Sequence, residues 1–330
     1  MNPHRPSVKG AIAMTRIVLP SLFLTTTLAL SLHAHAAGSL TRTFVSSAGS
    51  DSNLCTITQP CATFAIAYAA TAANGIVTAL DPGKYGPLTI TGPVTVNGNG
   101  WAAVTGPAAG NAITVNAVSG NVALIGLEID GAGTASNGIV FNSGDALEVT
   151  NCTARNFDTS GLAFIPSSSA TFKVTNSEFD DNTSQGILIF PSATPQITGV
   201  IDHVGLYNNL FGLNLLSGNS TGGTVSVTVH DSIASNSING MATNGAGFAA
   251  QATAGQAVTH LMLVKSVAAY NFDGVLASGI NAEVFVNDST ITKNTNGWLH
   301  PLSGIIVTYG NNAVDDNTND EAAQTPGSLK

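Results

Sequence analysis

The residues equipped for chemistry are few and sit in short runs. Asp180-Asp181 and Asp315-Asp316 are adjacent carboxylate pairs. Glycoside cleavage needs two carboxyl groups roughly 5–10 Å apart. Neighbours on a strand face opposite ways, so either pair can act together only at a turn. Arg155 is a cation that the repeat brings near Asp130, Asp158 and Asp181. Its plain structural role is a surface ion pair, worth about 0–1 kcal/mol. Asp202-His203 and His230-Asp231 form a second constellation. A metal needs three or four ligands converging on one side. A ladder of turn residues accounts for both of these acids, so no metal site and no cofactor are expected.

A repeat positions these residues. Its motif is apolar-x-[Asn/Asp], then Asn five or six places on, then Gly. It occurs at Val149-Thr150-Asn151 with Asn156 and Gly161, and at Val174-Thr175-Asn176 with Asn182 and Gly186. Val200-Ile201-Asp202 follows with Asn208 and Gly212, then Val229-His230-Asp231 with Asn236 and Gly240. Leu263-Val264-Lys265 carries Asn271 and Gly274, Val286-Asn287-Asp288 carries Asn294 and Gly297, and Asn317 ends the series. Between these markers apolar residues alternate, as in Val225-x-Val227-x-Val229. That is period two, hence strands. The length of the repeat is that of one solenoid coil.

No coil can bury its apolar face alone, so coils stack at about 4.8 Å in parallel sheets. Equivalent residues then lie above one another. Asn156, Asn182, Asn208, Asn236, Asn271, Asn294 and Asn317 are read as one amide ladder, each bond adding about 1 kcal/mol net. Like charges stacked one coil apart repel, and charged residues make up only 9% of the chain against about 25% in an ordinary domain. The exceptions read as neighbouring-coil pairs: Arg155 with Asp181, Lys293 with Asp316, and Lys265 between Asp231 and Asp288 in a column begun by Asp202. Tyr207 and Tyr270 take one place in the repeat, ahead of Asn208 and Asn271, and with Trp298 are the candidate binding aromatics. The longest coil holds extra small residues at 243–256 that are expected to protrude.

This repeat resembles the right-handed parallel β-helix of the pectin-lyase-like superfamily, in its exported form. The N-terminal stretch resembles it too, in Arg42-Thr43-Phe44-Val45, in residues 62–70, in Asp81-Pro82-Gly83-Lys84-Tyr85-Gly86 and in Val94-Thr95-Val96-Asn97-Gly98. The resemblance implies an all-β, single-stranded parallel β-helix with a short N-terminal capping helix, placed at residues 62–74. It also implies that a lyase of this kind would carry a basic residue beside aspartates, for which Arg155 is the match. A fold of this kind hosts both enzymes and non-enzymes.

The ends and the charge complete the reading. Arg5, Lys9 and Arg16, an apolar stretch at 17–32 and Ala34-His35-Ala36 mark residues 1–36 as a secretory signal peptide. Residues 37–76 are read as an N-terminal strand, disulfide loop and helix, 77–318 as the coils, and 319–330 as a loose tail. Export implies an oxidising compartment, so Cys55 and Cys61 are paired, and Cys152 is read as a buried apolar residue. The formal net charge is −9, and the signal peptide removes basic residues alone. Nucleic acid is disfavoured as a partner, and Ca²⁺ enters only if an acidic glycan is the ligand. The expected function is a secreted, non-catalytic module for a polysaccharide, cell-surface glycan or protein. The alternative is a polysaccharide lyase or glycoside hydrolase working along a lateral groove, with Arg155, Asp180 and Asp181 as its catalytic candidates.

Overall fold

The computed structural model describes residues 38–237, 245–320 and 325–327. The expected signal peptide and its cleavage point lie outside these residues, as does part of the tail. One coil shows how sequence becomes shape. Strand Thr224–His230 turns Val225, Val227 and Val229 inward. Asp231 then bends the backbone with φ 45°. Ser232 points in, and the short strand Ile233–Ser235 follows with Ala234 buried. Asn236 makes a second corner at φ 60°. A third strand, Ala246–Gln251, completes the lap.

Repetition of this unit gives a parallel solenoid of about nine turns, with a single helix among the described residues. The long and short strands share one 20-stranded sheet, and the third strands form a nine-stranded sheet. Every strand pairing in both is parallel, as in Asp202 with His230 and His230 with Val264. The core runs along the axis, where Phe141 and Phe164 stack with centroids 4.5 Å apart and Phe164 meets Phe172 at 5.0 Å.

Two corners recur in each coil, both with positive φ, where Asn and Asp are the least strained side chains. The first holds Asn151, Asn176, His203, Asp231, Lys265 and Asp288. The second holds Asn156, Asp181, Asn208, Asn236, Tyr270, Lys293 and Asp316. The expected asparagine column is therefore two columns, one residue out of phase. Asn156, Asn208 and Asn236 are corner residues, hydrogen-bonded outside the barrel. Asn182, Asn271, Asn294 and Asn317 belong to an inner ladder that also takes in Asn209. Asp202 likewise ends a strand, and His203 stands in the column first assigned to it.

A further inner ladder follows the first corner. The hydroxyls of Ser177, Ser232, Ser266 and Ser289 accept from the backbone N–H of Cys152, Val204, Ser232 and Ser266 respectively, and the Asn312 carbonyl from that of Ser289. Each serine also donates to the carbonyl two residues back, as Ser266 does to Val264 at 2.9 Å.

The helix is shorter than expected, Phe64–Ala70, and strand Thr71–Ala79 follows directly. Thr63 caps it by accepting from Ile66 N–H. It stops because Thr71 pairs with Leu40 in the first parallel ladder, and its hydroxyl meets that of Thr43 at 2.7 Å. Pairing here overrides the helical preference of Ala72 and Ala73. The coils accordingly begin at Leu40–Val45, before residue 77. Cys55 and Cys61 form a disulfide. Asp81 ties this end together, accepting from Ser46 Oγ, Ser47 N–H and Tyr85 Oη. No helix among the described residues is long and apolar enough to cross a membrane.

The extra residues of the longest coil do not protrude at 246–251. Those residues are a buried strand of the nine-stranded sheet, because Gly247 replaces Gly240 in register with Gly212 and Gly274. Residues 243–244 of the expected span lie outside the described residues.

Candidate functional site on the short-strand face

Three-residue strands bury their middle residue and present the two that flank it. Thr153–Arg155, Glu178–Asp180, Gly205–Tyr207 and Ile233–Ser235 stack in register on the end of Asn121–Asp130. Ala154, Phe179, Leu206 and Ala234 point in. The outward row is Asp130, Arg155, Asp180, Tyr207 and Ser235, spaced by one coil, about 4.8 Å. Arg155 thus has a carboxylate residue on each side, Asp130 and Asp180. The expected partner Asp181 sits instead at the corner, where it accepts from Asn208 Nδ2 at 3.0 Å. Asp158 lies past that corner and is not in the row. Lys84, Glu128, Asp130 and Arg155 line a groove of about 270 Å³ at one end.

Asp180 is the distinctive group. It is half-buried, and its Oδ1 is buried with no hydrogen-bond partner among the described residues. Desolvation, then the charges of Glu178 and Asp181, push its carboxyl up to about 6, while Arg155 pulls the other way. Such a group protonates in mild acid. Arg155 is exposed and makes no ion pair within 4 Å among the described residues. Tyr207 lays its ring over Gly205, where a Cβ would stand 2.4 Å from Cε2. Burial and Glu178 raise its hydroxyl.

The other aromatics part company with this row. Tyr270 occupies the second corner rather than the place of Tyr207, two coils away, and is 56% exposed. Trp298 is only 6% exposed and packs in the core beside Val275, so it offers no ring to a ligand. The Lys293–Asp316 ion pair is formed across coils as expected. Cys152 is buried, and burial pushes its thiol up to about 11, well away from a nucleophile.

A second cluster lies at the first corner. Asp202 Oδ1 is 3.0 Å from His203 Nδ1 and 2.9 Å from His230 Nδ1. Asp231 Oδ2 is 3.2 Å from His230 Nδ1 and 3.9 Å from His203 Nε2. The two dipeptides, read from the sequence as turn-ladder acids with adjacent histidines, thus converge in one cluster. A third feature, a groove of about 590 Å³ on the long-strand face, is largely apolar, lined by Phe172, Val200, Met262 and Phe285.

No family model matches the chain, and no curated protein matches it in sequence. Its structure is similar to the crystal structure of pectate lyase Pel9A, with a TM-score of 0.61 and 19% identity over 87% of this chain and 83% of that one. At that identity the likeness is one of fold, a pectin-lyase-like right-handed parallel β-helix.

Proposed function

We propose that the protein is a secreted, non-catalytic module that binds an uncharged glycan along the short-strand face. The observation that carries this reading is the row Asp130, Arg155, Asp180, Tyr207. It sets an aromatic ring in line with carboxylates and one guanidinium at coil spacing. A ring of this kind stacks on the apolar face of a sugar, and carboxylates accept from paired hydroxyls. Glu128, Asp130, Glu178 and Asp180 outnumber Lys84 and Arg155 on this face, which repels uronates and favours neutral chains. The Cys55–Cys61 disulfide supports an oxidising, extracytoplasmic setting.

A glycan panel tests the reading. Binding to a neutral polysaccharide should weaken about tenfold in Tyr207→Ala, with no new reducing ends and no unsaturated products. A second reading, a polysaccharide lyase or glycoside hydrolase, is favoured by the raised carboxyl of Asp180 beside Arg155. Turnover that disappears in Asp180→Ala or Arg155→Ala would put that reading first.

A further inference from the structure

The dipeptides Asp202-His203 and His230-Asp231 carry the same two residues in opposite order on successive coils. Parallel register stacks Asp202 on His230, and the corner column stacks His203 on Asp231. Each acid thus lies beside an imidazole along the strand and another across the coil. Four candidate ligand atoms, one from each residue, lie within 4.8 Å of one another. We propose that these four side chains form a zinc-class divalent metal site that clips two neighbouring coils together.

The geometry supports a tetrahedral ion. With Zn–N and Zn–O bonds of about 2.0–2.2 Å, ligand atoms at the corners of a tetrahedron stand about 3.3 Å apart. With Nδ1 of both imidazoles as the donors, the contacts in the cluster, 2.9, 3.0 and 3.2 Å, lie near that edge. Two carboxylates balance a dication, and two neutral imidazoles supply the nitrogen donors that zinc accepts readily. Calcium and magnesium want six or more oxygens, which this set cannot give. Four protein ligands leave no open position, so the ion's role is structural.

The turn ladder does not account for this arrangement. Asp202 is the last residue of its strand, not a corner residue, and its Oδ1 receives both imidazole Nδ1 atoms. The coils on either side place Thr175 and Asn176, then Val264 and Lys265, at the equivalent positions. The donor set is confined to one step of the solenoid. Side chains 35–56% exposed leave it open to an ion from solvent.

The test uses the untagged full chain, dialysed against Zn²⁺ and then against buffer. Retention of a single equivalent, a rise in melting temperature with added Zn²⁺, and a tetrahedral absorption spectrum with Co²⁺ are expected. All three should vanish in His203→Ala/His230→Ala whose far-ultraviolet circular dichroism matches the parent. If that variant does not fold, Asp231→Asn takes its place and should lose the tetrahedral Co²⁺ spectrum. Equal zinc retention in parent and variant, no retention in the parent, or an equal melting shift with Ca²⁺ would overturn the site. None of these readouts involves a glycan, so the outcome is independent of the function proposed above.

Discussion

Asn209 Oδ1 accepts from both the backbone N–H and the side-chain Nδ2 of Asn182, each at 3.1 Å, across one coil. Asn209 Nδ2 in turn donates to Phe179 O at 2.9 Å. Both amides are buried, so truncation of Asn209 would take these partners from the Asn182 backbone N–H and from Phe179 O, while Asn182 Nδ2 would keep only its bond to Ala154 O. Removal of a partner from a buried polar group costs about 1–3 kcal/mol. Asn209→Ala should therefore destabilise the protein by about 3 kcal/mol. Its neighbour Asn208 sits at the corner with φ 55° and bonds to Asp181 and Asn236 on the exposed side. Asn208→Gly should cost only a few tenths of a kcal/mol. Denaturant melts of the two variants read the difference. Equal losses would mean the inner ladder is not where stability lies.

The glycines of the repeat are tied to that ladder. A Cβ on Gly274 would stand 2.5 Å from Gly297 O and 2.8 Å from Asn294 Nδ2. Gly247 faces Asn271 Nδ2 and Gly274 O in the same manner. The inner amide thus fills the room a side chain would take, which explains why Asn and Gly recur together. Gly274→Ala should lower stability by about 1–3 kcal/mol. Gly133→Ala meets no atom within 4 Å, and its cost should come from φ +68° alone, about 1 kcal/mol. Thermal melts that fail to separate the two would refute the close approach.

The period of this chain was legible and its phase was not. Alternating apolar residues identify strands, and the Asn and Gly markers give the coil length. Asn, however, serves both as a corner residue and as an inner amide, and Asn208-Asn209 places one of each side by side. Marker spacing alone cannot tell them apart, and it aligns Arg155 with Asp181 rather than with Asp180. The missing signal was the serine that directly follows a first-corner residue, as in Asn176-Ser177, Asp231-Ser232, Lys265-Ser266 and Asp288-Ser289. That serine fixes the phase of the four coils that carry it, while Cys152 and Val204 take its place after Asn151 and His203. Trp298 carries no such mark, because an aromatic after glycine reads the same whether it enters the core or a groove.

The Cys55–Cys61 bridge closes a loop of six positions beside the helix. Loop-closure entropy for so short a span gives about 2 kcal/mol. Cys55→Ser/Cys61→Ser should lose about 2 kcal/mol of stability in denaturant melts, and reductant should destabilise the parent but not the variant. Cys152 should stay unmodified by thiol reagents in the native protein and react once after unfolding, since it is buried and its thiol is pushed up to about 11. Native-state labelling at Cys152 would contradict that burial.

Asp180 makes a prediction whose sign follows from linkage. Its carboxyl is raised from an ordinary 3.8 to about 6. Between those values the folded protein binds the proton and the unfolded chain does not, so stability falls as pH rises through the window. Below about pH 4 both states hold the proton and no penalty applies; above about pH 6 the penalty is complete. Asp180→Asn keeps the shape without the charge. Its melting temperature, relative to the parent, should be level near pH 4 and climb to a plateau above pH 6. Arg155 opposes the shift, so Arg155→Met should move the Asp180 midpoint still higher, read from the carboxyl carbon resonance. If the melting curves of parent and Asp180→Asn stay parallel from pH 4 to pH 7, the carboxyl is not desolvated. The case for Asp180 as the acid of a hydrolase would then fall, while the binding row would lose only its charge pattern.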